Sequence, residues 1–321
     1  MNGRQGTPPA SEPARQSPGR ETQMTATDGT KYQFSGANPA KKGDKMKTIT
    51  SETIATALAG LIDGCLRSLE PAAVRLISAA REKETSPAAL WALDKIVENA
   101  EIVKRDGCYA CQDCGLPLVF AKLGVNVKLD APLEHSINEG VRRGYTNARK
   151  SVADPLTRLN TGDNTPAIVY VESVAGDGLE IAYLAKGAGS ENMSGLYMLT
   201  PSKGRDGIIN AVLDRVRSAG ANPCPPIVVG VGIGGTADKA TLLSKKALLR
   251  DTGTKNPNSE VAALESELLE KINALGIGAQ GLGGRTTALA VAVETFPTHI
   301  GMLPVAVTIQ CHSVRHGKIT L

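Results

Sequence analysis

Aromatic side chains make up only 3% of this 321-residue chain, so it has little with which to stack bases, and nucleic-acid binding is not expected. No apolar run approaches the roughly 20 residues of a membrane-spanning helix, and the first residues lack the apolar stretch of a secretory signal. Neither sign of charge dominates, with 36 Lys and Arg against 32 Asp and Glu. That balance suits a small anionic substrate better than a polyanion. There is no repeat period. The 41% hydrophobic content supports a real core, and the expectation is a globular, cytoplasmic protein.

Histidine and cysteine are also sparse. In a reducing compartment the six cysteines are thiols or metal ligands rather than disulfides. Cys65 shares a helical apolar face with Ile54, Leu58, Leu61, Ile62 and Leu69 and reads as core. The other five, Cys108, Cys111, Cys114, Cys224 and Cys311, fall in loops or at element ends. Three of the four histidines, His299, His312 and His316, lie near the end of the chain.

Residues 1–45 are rich in Pro, Gly, Ser, Thr and charge with almost no branched aliphatics, which predicts a disordered N-terminal extension. Met46 reads as a natural start, and residues 46–321 as one large domain. Periodicities of three and four predict helices over about 51–69, 72–83, 87–105, 133–150, 206–219, 236–250 and 261–275. Ser86 and Pro87 supply an N-cap and first turn, and Gly107 a C-cap. Apolar runs predict strands over 118–123, 126–129, 167–174, 179–185, 227–231, 287–293 and 303–310. A turn is expected at Gly124, and a hairpin through Gly176-Asp-Gly178. The fold class is α/β (mixed α+β), a single large domain of helices and mixed strands with its reactive groups in loops.

The chemistry concentrates in C-x-x-C-x-x-C at Cys108, Cys111 and Cys114, with Gln112, Asp113 and Gly115 interleaved. This opens like a bacterial ferredoxin run, but residue 118 is Leu where that run has its fourth cysteine. A zinc site drawing on Cys224 and Cys311 is open on ligand chemistry alone. Cys224 stands between prolines, which stiffen the backbone around it. The glycines of Gly230-Val-Gly-Ile-Gly-Gly235 do not match a dinucleotide fingerprint, and close strand–helix packing explains them. His299 follows Pro297 in a loop between strands, where structural and functional readings both stand.

Taken together, the motifs carry a resemblance. Cys111-Gln-Asp-Cys-Gly115 resembles the C-Q-D-T-G signature of the class I, iron-sulfur-dependent fumarases and the related tartrate dehydratases. Lys186-Gly-Ala-Gly-Ser-Glu-Asn192, Asn222-Pro-Cys-Pro-Pro226, the glycine-rich run from Gly276 to Gly284, Pro297-Thr-His299 and Ile309-Gln-Cys-His312 resemble its other signatures in the same order. The resemblance is to the alpha subunit, from about Ser51 to the C-terminus. It implies a 4Fe-4S cluster held by Cys111, Cys224 and Cys311, and a beta subunit completing the active site of a hetero-oligomer that acts on a small dicarboxylate. It also implies roles for Asp113 and His299 in catalysis and for Gln112, Arg149, Gly187, Ala188 and Gly189 in binding substrate. Cys114 stands where the signature has Thr, and Ala188 where Gly is usual. The activity implied is reversible hydration of fumarate to (S)-malate, with L-tartrate dehydration as the alternative. A non-catalytic iron-sulfur or zinc protein is the reading from outside this family.

Overall fold

The computed structural model describes Gln23–Thr25, Lys31–Gln33 and residues 46–321. The chain divides into units Met1–Asp44 and Lys45–Leu321. In the first, strands β1 (Gln23–Thr25) and β2 (Lys31–Gln33) pair antiparallel. The disorder expected for residues 1–45 otherwise lies outside the described residues.

The second unit carries two four-stranded sheets. One has the order β12-β7-β4-β6, built from β4 (Leu116–Gly124), β6 (Ile168–Val174), β7 (Leu179–Lys186) and β12 (His316–Thr320). The other has the order β10-β9-β11-β8, built from β8 (Gly195–Leu199), β9 (Ile227–Gly234), β10 (Ala288–Phe296) and β11 (Leu303–Gln310). A short parallel pair joins β3 (Lys47–Ile49) to β5 (Val127–Leu129). The mixed α/β class is what the pattern of elements predicts.

Alternation along the strands sorts side chains to two faces. On the first sheet, Val119, Ala121, Ile181, Tyr183 and Ala185 face α1 (Ser51–Leu66) and α4 (Leu133–Gly144), which contribute Ile54, Leu58, Ile62, Ile137 and Val141. The opposite face, with Leu118, Phe120 and Leu184, packs with α2 (Pro71–Lys83) and α3 (Pro87–Asp106) and with Val228, Leu289 and Ala290 of the second sheet. The other side of that second sheet buries Val229, Val231, Val293, Val305 and Val307 against α6 (Gly204–Ala219) and α8 (Ser259–Asn273).

Gly230 and Gly232 lie within β9, where an added Cβ would run into the carbonyl oxygens of Ser244 and Ala240 in α7 (Ala237–Ala247). Close strand–helix packing therefore accounts for this glycine run. The hairpin expected through Gly176-Asp-Gly178 does not form, because β4 inserts between β6 and β7, parallel to the first and antiparallel to the second. β4 is buried from Leu118 to Ala121, and a central position gives both its faces a partner. The turn at Gly124 is likewise no hairpin, since β5 pairs with β3. No helix among the described residues is long and apolar enough to cross a membrane.

Candidate active site

Strand register brings three separate loops to one end of the two sheets. Leu116 pairs with Lys186, which sets the Cys108–Gly115 loop beside the segment after β7. Gln310 pairs with Val228, which sets Cys311 beside the chain entering β9, and hence beside Cys224. The Gln310 side chain donates to the Ala185 carbonyl (3.2 Å), tying the sheets together where the loops emerge.

Strand register thus places the segments carrying Cys111, Cys224 and Cys311 at one end of the sheets, and partial burial, with the nearby Cys311 and Cys111 thiols, pushes the Cys224 thiol up. Cys114 behaves differently. It is buried in the core with Tyr145, and its thiol points back at the Cys111 carbonyl (3.8 Å). Cys65 is core, as its helical face predicts, and Cys108 is exposed.

Cys224 is held with φ +53°, in the left-handed region that a non-glycine residue adopts only under constraint. Two neighbours supply that constraint. The Cys224 carbonyl pairs with His312 Nδ1 (2.9 Å); a carbonyl only accepts, so Nδ1 carries the proton. The next carbonyl, of Pro225, accepts from both the backbone N–H and the side-chain amide of Gln280 (2.8 and 2.9 Å). Burial lowers the His312 pKa, which favours this neutral, singly protonated ring.

Asp113 fastens the Cys108–Gly115 loop to the segment after β7. Its Oδ1 accepts from Gly115 N–H (2.9 Å) and its Oδ2 from Ala188 N–H (2.8 Å). Ala188 opens the single-turn helix α5 (Ala188–Glu191), so the carboxylate sits where free N–H groups point outward. Gly115 has φ +81°, and a Cβ there would meet Lys186 N at 2.9 Å. Glycine is what lets these two backbones approach. On the far side of the same turn, a Cβ on Gly189 would lie 3.1 Å from the Asn222 carbonyl, beside the Cys224 loop.

Two cations sit under this constellation, and sequence reasoning passed over both. Lys186 is 1% exposed, with its ammonium donating to Ser190 Oγ (2.8 Å) and 3.3 Å from Glu191. Burial lowers its pKa to about 8, against the pull of Glu191. Arg315 is 2% exposed and donates to the Asp113 carbonyl (2.6 Å). A lysine ending an otherwise apolar strand is a usable cue in the first case; the polar tail around Arg315 offers none.

Among the other residues the sequence singles out, Gln112, Ala188, Gly189 and Arg149 are exposed at the rim, and the Arg149 backbone N–H lies against the Cys114 thiol. Gly187 is buried beside Asp113. His299 is not with them. The β10–β11 loop that carries it sits at the opposite end of β9, where Thr298 bonds the Gly235 carbonyl; that is about 20 Å of strand away from the cysteines.

The sequence profile described as Fumarate hydratase (Fumerase) matches residues 55–320. The chain belongs to this family. A protein provisionally named L(+)-tartrate dehydratase subunit alpha, from Methanocaldococcus jannaschii, is 47% identical over 248 residues, 74% of this chain and 87% of the relative. L(+)-tartrate dehydratase subunit alpha of Escherichia coli strain UTI89 is 34% identical over 216 residues, 65% of this chain and 71% of the relative. Its counterpart in strain K12 is 33% identical over the same length. Fumarate hydratases and tartrate dehydratases are both hydro-lyases, and this chain is an enzyme of that class.

Proposed function

We propose that this chain is the alpha subunit of a cytoplasmic fumarate hydratase that interconverts fumarate and (S)-malate, with a 4Fe-4S cluster held by Cys111, Cys224 and Cys311. The observation that carries the reading is the strand register, which brings the three distant segments bearing these thiols to one end of the sheets, beside Asp113 and the Gly187–Gly189 turn. The donor set fits the group. It offers three cysteine sulfurs from separate segments, and a cluster takes each thiolate on a different iron. The burial of Cys114 in the core, with its thiol turned to the Cys111 carbonyl, supports the more open Cys111 as the ligand. Arg315 and Lys186 beneath suit a net anion.

When bound, a cluster with three protein thiolates leaves one iron open and supplies a Lewis acid to the substrate hydroxyl. The chain's own residues do the rest. Asp113, fixed by two N–H donors, moves or directs the proton at the neighbouring substrate carbon. The Gly187–Gly189 backbone forms the wall, and the free side chains of Gln112 and Arg149 reach substrate carboxylates from the rim. The exposure of that rim supports a beta subunit as its cover. His299 serves the site only if a second copy of this chain presents it, because its own cysteines lie at the other end of the sheet.

The names of the relatives favour a second reading, L-tartrate dehydration, on a substrate with one more hydroxyl. The test is kcat/KM of the anaerobic complex with its beta subunit on fumarate, (S)-malate and L-tartrate. Preference for fumarate and malate is expected, and preference for tartrate would favour the second reading.

A further inference from the structure

Among the described residues three Lys or Arg side chains are buried, Lys186, Lys245 and Arg315, and two of them, Lys186 and Lys245, share the Glu191 carboxylate. Arg315 has a backbone carbonyl, that of Asp113 (2.6 Å), and no ion pair among the described residues; its Nε is buried without a hydrogen-bond partner. An uncompensated guanidinium at this depth is costly unless negative charge arrives from elsewhere. The groups that surround it are the thiols of Cys311, Cys111, Cys114 and Cys65 and the hydroxyls of Tyr183 and Tyr145. The tyrosine hydroxyls are occupied with each other (2.6 Å) and hold their protons, since burial pushes both pKa values up. The negative charge that would offset the guanidinium is that of a cluster bound at the cysteine site.

We infer that Arg315 is a positioning residue whose buried charge offsets that of the thiolate-held cluster while its Nη1 holds the Cys108–Gly115 loop in place through the Asp113 carbonyl. The inference rests on the function proposed above. It goes beyond ligand assignment, because Arg315 touches no substrate and supplies no ligand. Standing four residues after Cys311, this guanidinium bonds the carbonyl two residues after Cys111 and places Nη2 3.7 Å from where a Cβ on Gly187 would be. Partners that orient and charge-balance a metal site typically change its metal affinity 10–100-fold when removed.

The test uses the full chain, loaded anaerobically with iron and sulfide, as wild type, Arg315→Lys and Arg315→Gln, with Arg250→Gln, a half-buried cation paired with Glu265, as a control away from the site. Each is followed for the rate of iron loss to ferrozine, for reduction potential and for Tm. Arg315→Gln keeps a donor for the Asp113 carbonyl but no charge, and should lose iron about tenfold or more faster with a more negative potential. Arg315→Lys keeps the charge and should stay within about threefold of wild type. Arg250→Gln should lower Tm and leave the iron rate and potential unchanged. Wild-type iron retention and potential in Arg315→Gln would overturn the inference. So would an Arg315→Lys that keeps the wild-type Tm yet loses iron about tenfold faster, and that arm decides alone if Arg315→Gln does not fold. A wild-type chain that takes up no cluster would overturn the proposed function, and this inference with it.

Discussion

Replacing Asp113 by Asn separates the two tasks the carboxylate performs. Its two oxygens accept from Gly115 N–H at 2.9 Å and Ala188 N–H at 2.8 Å, with Ser151 Oγ at 3.5 Å. An amide keeps one acceptor and turns its NH₂ toward the other N–H, so one backbone donor loses its partner. Such a loss costs about 1–3 kcal/mol when buried; because Asp113 is half-buried and Ala188 exposed, about 1–2 kcal/mol is the better figure. For a domain of this size that lowers Tm by about 2–8 °C. Removing the proton-exchanging group lowers turnover by a further, separate factor of about 10² to 10⁴, with KM little changed. The assay is malate formation by the complex with its beta subunit, with iron, sulfide and Tm measured on the same preparation. Normal turnover with the expected drop in Tm would make Asp113 a loop fastener only, and turnover is compared per cluster retained.

Gly115→Ala should destabilise by about 2–5 kcal/mol, from the left-handed backbone and from contact with Lys186, as read in denaturant titrations. Wild-type stability would mean that the loop moves freely. The isolated chain should show little hydratase activity until its beta subunit is added; substantial turnover with no second polypeptide detected by mass spectrometry would place the chemistry wrongly. If a second copy presents His299 in a two-fold assembly, co-assembly of Asp113→Asn with His299→Ala should recover about a quarter of wild-type activity, because half the assemblies are hybrids with one intact site of two. No recovery in demonstrated hybrids would return His299 to a structural role.

Local signals were sufficient wherever an element is governed by its own residues. The cap set of α3, with Ser86, Pro87 and Gly107, and the buried run of β11 appear as the pattern predicts. They were insufficient wherever a distant segment decides. The turn residues between β6 and β7 are those of a hairpin, yet β4 takes the place between them, a competition that local turn chemistry does not record. Helix α4 stops at Gly144 rather than continuing to 150, because Tyr145 turns inward to bond the Cys114 and Gly115 carbonyls (3.1 and 3.2 Å). The family resemblance could name Cys111, Cys224 and Cys311, but only strand register brings their segments to one end of the sheets. It could also name His299, but not show that it lies at the other end of β9. Arg315 stayed hidden because a buried cation acquires meaning only from the charges folded around it.

The most direct test is a cysteine scan of the full chain loaded anaerobically with iron and sulfide, read by iron, zinc and sulfide content and by the cluster's absorbance. Cys111→Ser, Cys224→Ser and Cys311→Ser should each abolish the 4Fe-4S signal, while Cys65→Ser and Cys108→Ser should retain it. Full cluster loading in Cys224→Ser or Cys311→Ser, or stoichiometric zinc without sulfide in the wild type, would contradict the account.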